Sequence, residues 1–368
     1  MLYHFLPQFA DFHILFNVFR YQTFRAAGAV VTALVLAFVL GPPTIRWLTR
    51  LKVGQVVRSE GPQTHLKKAG TPTMGGALIV MSAAASILLW AELTNPYTLL
   101  TLLALVWLGT LGFLDDYLKV VRGKSDGLVA RYKMVGQLTF GLVLGFFLVY
   151  YPISPIPPNW TMLPFFDGWY AHFWIPGYIA FVAIVVSGSS NAVNLTDGLD
   201  GLAAGLTAIA VVTFGVFAYL VGRVDTSVYL GLFYLPGAGE LAIFAAALAG
   251  AAIGFLWYNA HPAEVFMGDT GSLALGGAIG VMAILLKAEF LLVIVGGVFV
   301  IEAISVILQT TWFRYTQRRY GEGRRIFRMA PIHHHFEKLG WPESKIVIRF
   351  WIVGILFAML AFSTLKIR

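Results

Sequence analysis

The chain contains no cysteine. That excludes a disulfide, a thiolate zinc site and a catalytic thiol, and leaves no sign of a redox compartment. Charge is also scarce. Only 12% of the 368 residues are charged and 58% are hydrophobic, whereas soluble domains carry about 25% charged and about 45–50% apolar residues. A water-soluble globule is therefore excluded. Heptads, low-complexity tracts and a convincing internal repeat are lacking, which weighs against an inverted-repeat transporter architecture. The N-terminal "MLYHFLPQFADFHILFNVFRYQTF" lacks the basic n-region and small-residue cleavage site of a signal peptide. Its Phe, Tyr and His residues suit an interfacial segment over 1–23.

What the chain has in plenty is apolar sequence long enough to cross a hydrocarbon core of about 30 Å. Ten runs are expected to span, near 24–48, 75–91, 97–114, 134–151, 174–190, 201–222, 240–258, 271–286, 290–311 and 345–365. Little sequence separates them, so residues 1–368 read as a single all-α polytopic membrane domain, with a basic, His-rich segment at 312–340. Twenty of the 26 basic residues fall in the loops after the first, third and ninth runs, flanks included, while 151–174 holds none. The positive-inside rule then makes that face cytoplasmic and puts both termini outside, in the periplasm. The net charge of +8 suits anionic lipid or phosphate-bearing ligands, and no nucleic-acid partner is expected.

The acids gather on the same face. "LDDYLK" holds Asp115 and Asp116, with Lys119 one helical turn on. Such a pair is often only a solubilised helix end, but acids beside a membrane span are functional candidates by default. Two adjacent carboxylates repel, and a divalent cation would remove the repulsion. Mg²⁺ takes one or two carboxylates and completes its shell with water and substrate phosphate. The pair is therefore expected to meet a metal or a proton-bearing phosphate. "NAVNLTDGLDG" places Asn191, Asn194, Asp197 and Asp200 every three residues, with interleaved glycines. A cap or turn needs only one of them; four point to a polar ligand, and the glycines allow close backbone approach to phosphate. "FMGDTGS" adds Asp269, a cap or a third magnesium carboxylate, and Phe266, which either packs or stacks on a base.

"PIHHHFEK" brings His333, His334 and His335 together. Consecutive residues cannot all face one ion, so donation to phosphate is the more natural role than zinc binding. The preceding "WFRYTQRRYGEGRRIFRM" reads equally as an interfacial amphipathic helix or as snorkelling at the bilayer surface. "HLKKAGTPTMGG" is not a Walker A loop, yet lysine among small residues suits a diphosphate. Glu302, inside the ninth run, reads as a helix brace.

"GTPTMGG", "LDDYLK", "NAVNLTDGLDGLA", "MGDTGSLALGG" and "APIHHHFE", in this order along nearly the whole chain, resemble the polyprenyl-phosphate N-acetylhexosamine-1-phosphate transferases. The first and last resemble the phospho-N-acetylmuramoyl-pentapeptide transferase branch in particular. The resemblance implies ten transmembrane helices, a homodimer in the bacterial cytoplasmic membrane, and a Mg²⁺-dependent cytoplasmic site. The reaction would move phospho-MurNAc-pentapeptide from UDP-MurNAc-pentapeptide onto undecaprenyl phosphate, giving lipid I and UMP. By the same resemblance Asp269 is the principal metal ligand, Asp115 the base or nucleophile with Asp116 beside it, and both are further candidate ligands. Lys68, Thr73, Asn191, Asn194, Asp197, Asp200, Asn259 and Phe266 fall on the nucleotide-sugar side, with Phe266 stacking on uracil. Lys119, Lys133 and His333 to His335 handle phosphate. The competing readings are a sibling enzyme using UDP-GlcNAc and a cation- or proton-coupled transporter. Acids clustered at helix ends on one face, rather than at the midplane, disfavour the transporter.

Overall fold

The computed structural model describes residues 1–50, 70–120, 127–166 and 169–365. A short α1 (Leu2–Phe5) and two 3-10 turns, Leu6–Phe9 and Ile14–Arg20, precede α2 (Gln22–Arg50), α3 (Gly76–Trp90), α4 (Pro96–Val120) and α5 (Ala130–Tyr150). A hairpin, β1 (Trp160–Met162) and β2 (Tyr170–His172), then leads to α6 (Ile175–Thr196), α7 (Leu202–Val221) and the short α8 (Val224–Leu230). The chain continues with α9 (Glu240–Asn259), α10 (Gly268–Leu285), α11 (Glu289–Val295), α12 (Gly297–Tyr320), α13 (Ile332–Lys338) and α14 (Glu343–Ser363).

Among the described residues nine helices are long and apolar enough to cross a membrane. This is a polytopic, almost wholly helical membrane protein, as its composition requires. The tenth apolar helix, α3, has 15 residues, about 22 Å at 1.5 Å per residue, less than a full hydrocarbon thickness. The chain just before it is pinned against the segment that leads into α10. Phe266 N–H donates to Pro72 O, Gly75 N–H to Phe266 O and Gly76 N–H to Met267 O, each at 2.8 Å.

Three expectations change. The apolar run 290–311 is two helices, α11 and α12, broken at Gly296. Gly297 lies so close to α14 that a Cβ there would stand 2.7 Å from the Phe357 ring. The basic segment from 312 is not a separate interfacial helix. Its first nine residues continue α12, which ends where Gly321 adopts the left-handed conformation, φ +79°. The following residues fold back along it, Ile326 and Phe327 N–H donating to the Gln309 amide oxygen and Arg324 N–H to Thr316 Oγ1. The all-α expectation admits one small exception in the 151–174 connection, where β1 and β2 pair antiparallel with Trp160 opposite His172.

The innermost helix is α10, 89% buried over its apolar window, with α4 and α6 against it. Hydrocarbon chains are as apolar as leucine, so close van der Waals packing must hold these helices together, and small residues permit it. At Gly112 an added Cβ would stand 2.1 Å from the carbonyl oxygen of Asp269. That contact brings the end of α4 directly onto the beginning of α10. The N-terminal residues fold over the end of α3, where the Met1 amine donates to Leu88 O at 2.7 Å, and leave Phe5, Phe9, Phe12, Ile14 and Leu15 exposed.

Candidate active site

The same end of the bundle collects the last turn of α4, the start of α5, the end of α6 and the start of α10. Helix α4 runs six residues past the expected span, so Asp115, Asp116 and Lys119 are helical. Adjacent helical residues point about 100° apart, and the two aspartates do different work.

Asp115, buried, faces α5 and α10. Its Oδ2 lies 2.5 Å from Lys119 Nζ and 3.1 Å from Lys133 Nζ, and Oδ1 accepts Leu128 N–H at 2.7 Å. Both lysines continue to Asp269, Lys133 Nζ reaching Oδ2 at 2.5 Å and Lys119 Nζ at 3.0 Å. Asn194 on α6 donates from Nδ2 to Asp269 Oδ1 at 2.7 Å and to Ser272 Oγ at 2.8 Å. The result is a closed network of two carboxylates, two ammonium groups and one amide.

Asp116 faces the first turn of α10. Its Oδ1 accepts Asp269 N–H at 3.1 Å; Oδ2 accepts Thr270 N–H at 2.9 Å and the Thr270 hydroxyl at 2.7 Å. A carboxylate from another helix thus satisfies the open amides and positive end of α10. Gly268, at φ +72°, lets it come so close, since a Cβ there would stand 2.7 Å from Asp116 Oδ2 and 3.0 Å from Thr73 Oγ1.

Asp197, half-buried at the C-cap of α6, has its carboxyl pushed up to about 7. Burial is the main cause, followed by the negative fields of Asp269 and Asp116, with the Gly268 N–H pulling the other way. Asp200 Oδ2 meets His261 Nδ1 at 3.1 Å and Ala263 N–H at 3.2 Å, and its backbone N–H donates to Glu343 at 2.7 Å. Phe266 is half-buried beside the extended pairing with Pro72, and Thr73 is buried next to Gly268.

Other sequence candidates are placed differently. Asn259 is buried with both ends of its amide engaged: Oδ1 accepts Gly201 N–H at 3.0 Å and Nδ2 donates to Val265 O at 2.9 Å. It clamps two loops together rather than facing the carboxylates. Asn191 bonds to Gln137 Oε1 and Ser187 O, both at 2.8 Å, between α5 and α6. The three histidines take three partners. His333 is fully buried 3.1 Å from Glu302, His334 Nδ1 is 2.5 Å from Glu337, and His335 Nδ1 accepts Arg328 N–H at 3.1 Å. Lys68 lies outside the described residues. Thr270, Ser272, His261 and Glu343 went unnoticed in the sequence. Thr270 and Ser272 flank Asp269 at helix-start spacing, whereas nothing in the sequence pairs Glu343 with Asp200.

Asp115, Asp116 and Asp269 each offer a carboxylate oxygen within 4.8 Å of the others'. Hard oxygen donors gathered so closely fit Mg²⁺. The fit is best for Asp115 and Asp269, which face one another, because both oxygens of Asp116 already hold α10. The two lysines show that the carboxylates meet cationic partners in this arrangement.

Comparison with known proteins agrees with this geometry. A family model described as glycosyl transferase family 4 matches residues 98–287, and a phospho-N-acetylmuramoyl-pentapeptide-transferase signature matches 68–80. A phospho-N-acetylmuramoyl-pentapeptide-transferase from Gemmatimonas aurantiaca is 57% identical over 100% of both chains. Those from Desulfatibacillum aliphaticivorans and Thermodesulfovibrio yellowstonii are 53% and 48% identical, again over 100% of each chain.

Proposed function

Because the chain belongs to the phospho-N-acetylmuramoyl-pentapeptide-transferase family, we propose that the carboxylate–lysine network at the start of α10 is its transfer site. The protein is a multi-pass membrane transferase of peptidoglycan synthesis. In our reading it takes UDP-MurNAc-pentapeptide and undecaprenyl phosphate and releases lipid I and UMP. It works as a homodimer in the bacterial cytoplasmic membrane, with the site on the cytoplasmic side and both termini outside.

The carrying observation is that Lys119 and Lys133 each bridge Asp115 and Asp269. Attack of one phosphate on another needs in-line placement and neutralised charge more than covalent help from protein. Asp269, with Asp115, would hold Mg²⁺, which would neutralise the diphosphate and stabilise the departing UMP. Asp115 takes the proton of the lipid phosphate. Its oxygens are oriented by Leu128 N–H and two ammonium groups, one of which moves off toward the incoming phosphate as the proton arrives. The lysines meet the phosphate oxygens as they enter, and Asn194 keeps Asp269 turned toward the lysines. Asp116 sets the start of α10 and so the position of Asp269. Asp197 and Asp200 line the adjoining loop, where the uridine and sugar would lie, with Phe266 as the stacking ring.

Neither the UDP-GlcNAc sibling nor the transporter draws support from the relatives. The test uses purified protein with Mg²⁺, undecaprenyl phosphate and either UDP-MurNAc-pentapeptide or UDP-GlcNAc, following UMP and the mass of the lipid product. UMP with lipid-linked MurNAc-pentapeptide, abolished by EDTA, is expected. UMP from UDP-GlcNAc alone would overturn the substrate assignment, and full turnover in EDTA would remove magnesium.

A further inference from the structure

Glu302 has no part in the network above. It lies in α12 with its side chain fully buried, 3.1 Å from Nδ1 of the equally buried His333. Neither side chain has a hydrogen-bond partner among the described residues, so this close approach is the polar contact each has. On its other side the imidazole abuts the loop between α6 and α7, where a Cβ on Gly198 would stand 2.2 Å from His333 Nε2. Gly198 sits between Asp197 and Asp200. The same loop is held from two further directions, by Glu343 at Asp200 N–H and by Asn259 at Gly201 N–H.

We propose that Glu302 is a positioning residue of the transfer site: through His333 it fixes the loop that presents Asp197 and Asp200 to the nucleotide-sugar. The inference rests on the function proposed above. A pure strut would need only shape, and a buried ion pair is often replaced by packed apolar residues without loss of stability. A carboxylate adds direction. Lying 3.1 Å from Nδ1, its charge attracts that edge of the imidazole and leaves Nε2 on the side of Gly198. His334 and His335 are tied instead to Glu337 and to Arg328 N–H. The effect falls first on the nucleotide-sugar side, because the side chains of Asp115, Asp269 and the lysines are held by residues outside this loop.

The test is a double-mutant cycle of Glu302→Gln, which keeps the shape and removes the charge, with Gly198→Ala. Each single variant is expected to raise the KM for UDP-MurNAc-pentapeptide about tenfold, with the KM for undecaprenyl phosphate within about twofold of wild type. Calorimetric binding of UDP-MurNAc-pentapeptide should weaken in parallel. The double variant should lose less than the product of the two, since an unanchored ring can swing away from the added methyl. Should Glu302→Gln melt early, His333→Gln with Gly198→Ala supplies the same cycle and the same expectation. Multiplicative losses, or equal changes in both KM values, would overturn the proposal. A wild-type protein that turns over UDP-MurNAc-pentapeptide while Glu302→Gln matches it would sink this inference alone. A wild type inert toward that substrate would remove the function and this inference with it.

Discussion

Charges are buried at both ends of the bundle, but they are buried differently. Away from the site, Arg25 at the start of α2 grips Glu240 at the start of α9 through two bonds, 2.8 and 2.5 Å, while Glu240 also accepts Glu92 N–H at 3.0 Å. At the far end of α10, Lys287 donates to Pro158 O at 2.6 Å, and Thr161 donates to Glu289 and to Lys287 O. Burial pushes the Lys287 ammonium down to about 8 and the Glu289 carboxyl up to about 7. These groups have fixed partners and tie the chain's connections to the helices. At the site, by contrast, two lysines share two carboxylates, and Lys119 is 37% exposed. An incoming phosphate or cation can replace one of several equivalent contacts without stranding a charge. Fixed pairing serves the fold, and shared pairing leaves room for a ligand.

Breaking a member of each kind separates the two. Asp269→Asn should cost the most, a loss of about 10³-fold in kcat, because it removes the charge on which both lysines and Asn194 converge. The folded protein should melt near wild type; retained turnover would take Asp269 out of the chemistry. Arg25→Met should do the reverse. It leaves Glu240 buried without its counterion, at a cost of about 3–5 kcal/mol in stability, read by thermal or denaturant unfolding in detergent, while kcat per folded molecule stays near wild type. A large kcat loss with unchanged stability would erase the distinction between the two ends.

Much of this division was legible beforehand. Hydropathy located the helices because spanning hydrocarbon demands long apolar runs, and the acid motifs stood out against a charge-poor chain. What the sequence could not separate was Asp115 from Asp116. Next to each other in a string, they sit about 100° apart on a helix, one toward the lysines and the other toward α10. Their repulsion is relieved by two ammonium groups on one side and by a helix N-terminus on the other. The break at Gly296 was hidden because hydropathy does not register a change of backbone direction. The bond between Asp200 N–H and Glu343, 143 residues apart, has no periodicity to betray it.

Asp116 therefore gives a smaller and different signature from Asp269. Asp116→Asn keeps one acceptor but turns an amide toward donors on Thr270, so a loss of about 1–2 kcal/mol in stability is expected. The fall in kcat should be nearer tenfold than a thousandfold, since Asp269 is displaced rather than removed. A kcat loss as large as that of Asp269→Asn, without a stability change, would make Asp116 a direct participant in the chemistry.

The smallest effect concerns pH. Asp197 has its carboxyl raised from 3.8 to about 7 in the folded protein, mainly by burial. Between those values the folded state holds a proton that the unfolded chain has released, so the unfolded state binds fewer protons and stability falls as pH rises. Asp197's contribution is fully present below about pH 4 and is lost once the pH passes about 7. Asp197→Asn cannot lose a proton, so its melting temperature should decline less than that of wild type across this window. Added Mg²⁺ should reduce the slope in the wild type alone, because a cation bound at Asp269 offsets one of the negative fields that oppose ionisation of Asp197. Parallel slopes in the two proteins would mean that Asp197 is already ionised, and that the loop beside the carboxylate–lysine network is held by its contacts with Asn259 and Glu343 rather than by this proton.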